Sequence, residues 1–188
     1  MPVRRVHSDE PTLYFITFTC FDWMPLFRLT RSYDLVYKWF HYLKENKNIS
    51  VTAFVIMPNH VHCILFFPEK GYSLNAIVGN AKRFMAYEIV KRLKELNRAD
   101  ILLRMSAAVS INERKKNQQH KVFENSFDAK AIVSDNFLQQ KLRYIHLNPV
   151  KSNDQLVDDW KEYEHSSASF YELNKVYHFT PVHYMELQ

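Results

Sequence analysis

Glycine is nearly absent: Gly71 and Gly79 are the only two in 188 residues. A glycine-rich loop that cradles phosphate, as in P-loop or dinucleotide-binding proteins, is therefore excluded. Cysteine is equally scarce. Cys20 and Cys63 stand alone without Cys-x-x-Cys spacing, which argues against both a disulfide framework and a zinc knuckle. No run is long and apolar enough to span a bilayer, and the start Met1-Pro2-Val3-Arg4-Arg5 lacks the apolar core of a signal peptide, so a cytoplasmic protein is expected. With 47% hydrophobic residues, the chain has the composition and length of one globular domain, 1–188.

What is present is basic and aromatic. Formal net charge is +5 and the pI is about 9.1, with lysine and arginine grouped at Lys82-Arg83, 91–94, 114–116 and 141–143. Such a surface attracts phosphate backbones through counterion release, independently of sequence, although many basic proteins bind no nucleic acid. Aromatics make up 15% of the chain, enough both to fill a core and to offer stacking platforms for unpaired bases.

Hydrophobic periodicity gives an order of elements. Leu13 to Cys20 alternates as a strand, and Leu35, Trp39 and Leu43 mark a helix over about 32–46. Strands follow near Val51–Met57 and His60–Phe67, joined at a tight Pro58-Asn59 corner. Ser73 caps a long helix to about Leu96 whose apolar face is expected to carry Leu74, Ile77, Val78, Phe84 and Ile89. A further strand is expected around Lys121–Phe127, then a helix after Ser134-Asp135 that ends near Pro149. This order reads as an α+β, ferredoxin-like βαββαβ antiparallel sheet with helices on one face and a C-terminal tyrosine-bearing helix. Between them, 101–111 reads as helical and 112–119 as polar and mobile. From Ser152 onward a short-helix cap is expected, with 176–188 either a tail or a strand added to the sheet.

Two segments carry chemistry. In Pro58-Asn59-His60-Val61-His62-Cys63, side chains alternate across the strand, so His60 and His62 point one way while Val61, Cys63 and Leu65 point the other. Two imidazoles side by side can hold a metal ion, although half-exposed sheet histidines are the commoner case. In the later helix Tyr144 and Asn148 are four residues apart and share a face, offering a phenol and an amide oxygen together. His146 lies roughly 200° around the helix from Tyr144 and should face elsewhere.

Together, Pro58-Asn59-His60-Val61-His62 and Tyr144-Ile145-His146-Leu147-Asn148-Pro149-Val150-Lys151 closely resemble motifs of the single-tyrosine HUH transposases, in particular the REP-associated tyrosine transposases and their insertion-sequence relatives. The resemblance extends to Asn125-Ser126-Phe127-Asp128, where that family has a strand, and to the Trp-x-x-Tyr-x-x-Ser-Ser-like segment Trp160 to Ala168. It covers about 13–171. It implies a DNA transposase that nicks and rejoins single-stranded DNA near hairpins formed by palindromic repeats. Tyr144 would attack a DNA phosphate to give a 5′-phosphotyrosine, and His60, His62 and Asn148 would hold Mg²⁺ or Mn²⁺. Mg²⁺ prefers oxygen donors, so a His-His-Asn set favours Mn²⁺ as an effective substitute. In insertion-sequence relatives the third ligand is commonly glutamine, and the shorter Asn148 requires the helix to come closer to the sheet. Insertion-sequence relatives act as homodimers and REP-associated ones as monomers, and the sequence leaves both open.

Lys82, Arg83 and Arg143 are the candidate DNA-phosphate contacts, against ordinary solvated charges on helix faces. His165 is read as a capping or packing residue. A histidine-triad nucleotide hydrolase would need a third histidine where Ile64 stands, which removes that rival. The remaining alternative is a domesticated protein that binds DNA hairpins without cutting them.

Overall fold

The computed structural model describes residues 12–151 and 155–187. Its strands are β1 (Thr12–Thr19), β2 (Ser50–Ile56), β3 (His60–Phe67) and β4 (Asp128–Ile132), in the sheet order β2-β3-β1-β4 with every pairing antiparallel. That is the ferredoxin-like order. Between the strands lie α1 (Leu26–Leu29), α2 (Tyr33–Lys47), α3 (Leu74–Glu95), α4 (Ala99–Ala107) and α5 (Ile111–Arg114); after β4 come α6 (Asp135–Lys151) and α7 (Ala168–Leu173).

Alternation along the central strands sorts two cores. Tyr14, Ile16, Phe18, Val61, Cys63 and Leu65 face α2 and α3, meeting Val36, Phe40, Leu43, Val78, Met85 and Ile89. Phe15 and Ile64 face the opposite side, where they join Ala53, Val55 and Met57 under Leu138, Leu142 and Ile145 of α6. The sheet is therefore covered on both faces. The two crossover helices lie on one face, and the tyrosine helix closes the other. On α3 the stripe at helical spacing is Leu74, Val78, Ala81, Met85, Ile89 and Leu93, all buried. Phe84, expected inside, falls off that stripe and is 65% exposed.

The strand expected at 121–127 is displaced. Val122, Phe123 and Phe127 are buried as core fillers, and only an isolated bridge joins Phe123 to Cys20. The strand that pairs with β1 is the following Asp128–Ile132, a mostly exposed edge strand. Its apolar signal is weak because an edge strand buries little of itself, whereas the loop before it fills the core. Part of the polar 112–119 stretch also differs from expectation. Ser110 and Glu113 form a capping box that starts α5.

The C-terminal segment covers the outer edge of β2. Ile56 N–H donates to the His165 carbonyl at 2.8 Å, Ser167 N–H to the Phe54 carbonyl at 2.9 Å, and Val182 N–H to the Val51 carbonyl at 2.9 Å. These bonds occupy backbone groups that an open edge would present to other chains. Residues 176–187 form no strand, and Phe179 anchors them by packing on Phe40 and Phe54.

Candidate active site

At one end of the sheet β1, β3 and α6 come together. Antiparallel register sets Thr17 opposite His62 and Thr19 opposite His60, so the two histidines project from the face that α6 covers. His60 and His62 are 8% and 5% exposed with ring centroids 4.7 Å apart. Tyr144 reaches them from α6. Its hydroxyl is 3.4 Å from His62 Nε2, and its ring stands edge-on to His62 at 5.0 Å and to Phe15 at 5.9 Å. Asn148, one turn further along α6, hydrogen-bonds the His60 side chain. All four residues belong to one chain.

Neighbouring groups orient both imidazoles. Asn59 donates its amide N–H to the Trp23 carbonyl at 3.2 Å, which turns Oδ1 toward His60 Nδ1 at 2.7 Å. That oxygen can only accept, so His60 carries its proton on Nδ1 and keeps a lone pair on Nε2. His62 Nδ1 contacts Thr17 Oγ1 at 2.6 Å. With the proton on Nδ1, His62 Nε2 is free to accept from Tyr144. Phe15 stacks on His62 at 5.5 Å and Trp23 stands edge-on to His60 at 5.5 Å, fixing the rings from their flanks. Burial drives the His60 imidazole down to about 4, against the opposing hydrogen bond from Asn148. Burial first, then the charges of His60 and Lys141, drive His62 to about 3. Both are neutral at physiological pH. Two neutral imidazole nitrogens and an amide beside them form a donor set that fits a divalent cation, with Mn²⁺ better matched to nitrogen than Mg²⁺.

Thr17 and Asn59 are positioning residues that the sequence reading passed over. For Thr17 the available signal was its place on the same strand face as Phe15. Lys141 was also missed as an individual candidate. It precedes Tyr144 by three residues on the helix, with Nζ 5.5 Å from the Tyr144 ring centre and 4.6 Å from that of Phe15. Burial, then Lys130, lowers its pKa.

The three expected phosphate contacts lie elsewhere. Arg143 is exposed on the far side of α6, lining a cavity of about 500 Å³ with His146, Trp160 and Tyr171. Lys82 donates to the carbonyls of Glu124 at 2.6 Å and Ser126 at 3.2 Å, and burial pushes it down to about 8. It thus pins the loop leading into β4. Arg83 is exposed on α3, its guanidinium 5.3 Å from the Phe84 ring centre.

The remaining histidines of interest are structural in their contacts. His146 faces away from Tyr144, as its helical position requires. It hydrogen-bonds Ser167 Oγ at 3.0 Å and stacks on Trp160. His165 stacks on Tyr33 at 3.8 Å and contacts the Tyr37 hydroxyl through Nδ1 at 3.0 Å. Both thiols are buried, and burial pushes them up, away from the reactive thiolate.

Residues 27–105 match the family model described as Transposase IS200 like. Across this stretch the chain is similar to that family. None of the curated proteins matches the chain. A solved REP-associated tyrosine transposase bound to a REP hairpin is similar over 97% of this chain and 93% of that one, with a TM-score of 0.59 and 17% sequence identity. Identity that low carries the fold. The matched residues include His60 and His62 and end before Tyr144. Among the described residues no helix is long and apolar enough to cross a membrane.

Acid sensitivity follows from the buried histidines. Burial holds His146 at about 4, below its ordinary 6.5. As pH falls below 6.5 the unfolded chain takes up protons first, so stability present at neutral pH is lost progressively until the folded group titrates near pH 4. From His146 alone the loss is on the order of 3 kcal/mol, and the depressed His60 and His62 act in the same direction. Urea midpoints measured between pH 7.5 and pH 4 should decline throughout that window; a flat profile would mean these imidazoles are solvated in the native state.

Proposed function

We propose that this protein is an HUH-type tyrosine transposase acting on single-stranded DNA beside a hairpin, with Tyr144 as nucleophile. The observation that carries this reading is the approach of the Tyr144 hydroxyl to His62 Nε2 at 3.4 Å, beside His60 and Asn148, from elements distant in sequence. A phenol hydroxyl is a weaker nucleophile than its phenolate, so position and charge neutralisation must supply most of the catalysis. Without a bound ion His62 Nε2, kept neutral by burial, accepts from the hydroxyl and holds its oxygen beside the site; that same lone pair would go to a bound ion, releasing the hydroxyl toward the phosphate. As Tyr144 Oη bonds to phosphorus, the bond from phosphorus to the 3′-oxygen breaks. The phenol loses its proton and the departing 3′-oxygen gains one. One phosphodiester replaces another, and the 5′-phosphotyrosine retains the bond energy for rejoining without ATP. Mg²⁺ or Mn²⁺ held by His60, His62 and Asn148 would polarise the phosphate and stabilise its developing charge. Lys141, beside the tyrosine ring, adds positive charge on the same side.

The partner in this reading is DNA carrying a palindromic hairpin and an unpaired flank, and a cytoplasmic location is part of the same proposal. One chain, 1–188, acts as a single catalytic domain. Since all four site residues come from one chain, a monomer is sufficient for cleavage in this proposal. Arg83 beside Phe84 on α3 and Arg143 on the far side of α6 are secondary phosphate contacts in this proposal, and Lys82 serves the loop instead.

Labelled strands test the proposal. With Mn²⁺, a hairpin carrying a single-stranded flank should give a covalent protein–DNA adduct, and a perfect duplex of the same sequence should remain uncut. Unpaired DNA can turn a phosphate into line with Tyr144, whereas a duplex holds its backbone fixed. Binding should weaken steeply with salt. Equal cleavage of both substrates would refute the single-strand mechanism; a mobility shift with no adduct at any metal concentration would instead favour a hairpin-binding protein that no longer cuts.

A further inference from the structure

A second group of metal-ligating side chains stands apart from Tyr144. Glu164, His165 and His178 place their ligand atoms within 4.8 Å of one another. Glu164 presents one carboxylate oxygen to each imidazole: Oε2 lies 3.1 Å from His178 Nε2 and Oε1 lies 3.7 Å from His165 Nε2. The first is a hydrogen bond, and the second exceeds hydrogen-bond range. From the geometry we infer that Glu164, His165 and His178 bind a Zn²⁺-class ion that fastens the tail over 176–187 to the Glu164-His165 segment at the β2 edge.

The best-oriented ligand is His165. Tyr33 stacks on its ring at 3.8 Å and 12°, and Tyr37, one turn along α2, meets Nδ1 at 3.0 Å. With Nδ1–H donated to the Tyr37 oxygen, Nε2 presents its lone pair toward Glu164. This is the outer-shell arrangement that orients metal-bound histidines. His178 lies nearly parallel to His165 at 5.3 Å, also turning Nε2 toward the carboxylate. A tetrahedral zinc site needs its ligand atoms roughly 3.3 Å apart, so separations of up to 4.8 Å must contract by as much as about 1.5 Å. The residues that must move can do so, since the side chains of Glu164 and His178 are 56% and 42% exposed while that of His165 is 16% exposed. On binding, His178 gives up its Nε2–H bond to Glu164 and carries its proton on Nδ1.

Two imidazoles and one carboxylate are a borderline set suited to Zn²⁺, with water completing four-coordination, and poorly suited to Mg²⁺ or Ca²⁺. The structural consequence is local. Glu164 and His165 adjoin Ser166, which bridges to Val55 at the β2 edge, while His178 adjoins Phe179, which reaches the core. An ion there would tie the tail over 176–187 to the edge of the sheet.

The test is made in full-length His60→Ala/His62→Ala protein, where the other candidate metal site is removed and failure of the transposase reading has no bearing on the result. Calorimetric titration with ZnCl₂ should give one ion per chain, and adding His178→Ala should lower the affinity at least tenfold. Zn²⁺ should also slow tryptic cleavage after the exposed Lys175, and His178→Ala should remove that protection. Should the double substitution unfold the chain, the same titration of the wild type should lose one Zn²⁺ per chain on His178→Ala or Glu164→Gln. Absence of Zn²⁺ binding, or binding that neither substitution weakens, overturns the site.

Discussion

Tyr144→Phe should abolish the covalent adduct while leaving folding and hairpin binding intact. The substitution removes one oxygen from a residue that is 48% exposed, and the ring keeps its edge-on contacts with His62 and Phe15. The hydrogen bond lost is long, at 3.4 Å, so the stability change should stay within about 0.5 kcal/mol. Removing a nucleophile from a preorganised site costs on the order of 10⁴-fold or more, which takes the adduct below detection. Gel separation after incubation with labelled DNA and Mn²⁺, alongside a melting curve, checks both halves. Tyr163 is poorly placed to replace it. Its ring is buried, its hydroxyl donates to the Ile56 carbonyl at 2.9 Å, and burial pushes its pKa up. An adduct that persists in Tyr144→Phe therefore refutes the nucleophile assignment.

His60→Ala and His62→Ala should each eliminate cleavage together with tight Mn²⁺ binding. Two remaining donors hold a divalent ion poorly, and losing either imidazole also leaves Asn59 or Thr17 without the group it orients. Thr17→Val provides a graded control. It removes the 2.6 Å contact that fixes His62 and keeps the imidazole, so affinity or activity should fall by about 10–100-fold. Calorimetric Mn²⁺ titration distinguishes the cases. Identical affinities in wild type and both alanine variants would exclude a metal site at these histidines.

The sequence alone determined which groups share a face. A period of two along 60–67 puts His60 beside His62, and a spacing of four along α6 puts Tyr144 beside Asn148. The same local rule turned His146 away. Strand and helix order likewise followed from hydrophobic periodicity, which is why the βαββαβ order was readable. It misled at 121–127 because buried loop residues and strand residues have the same apolar composition, and only hydrogen bonding across to β1 distinguishes them. Which faces meet depended on the tertiary structure. Contacts between Phe15, Ile64 and α6 carry Tyr144 to His62 across 82 positions, a closure that no local pattern encodes. Packing also chose Lys141 over Arg143 as the cation beside the tyrosine and assigned Lys82 to the loop before β4. These assignments depend on the orientation of one packed surface against another, whereas sequence periodicity specifies a face without naming its partner.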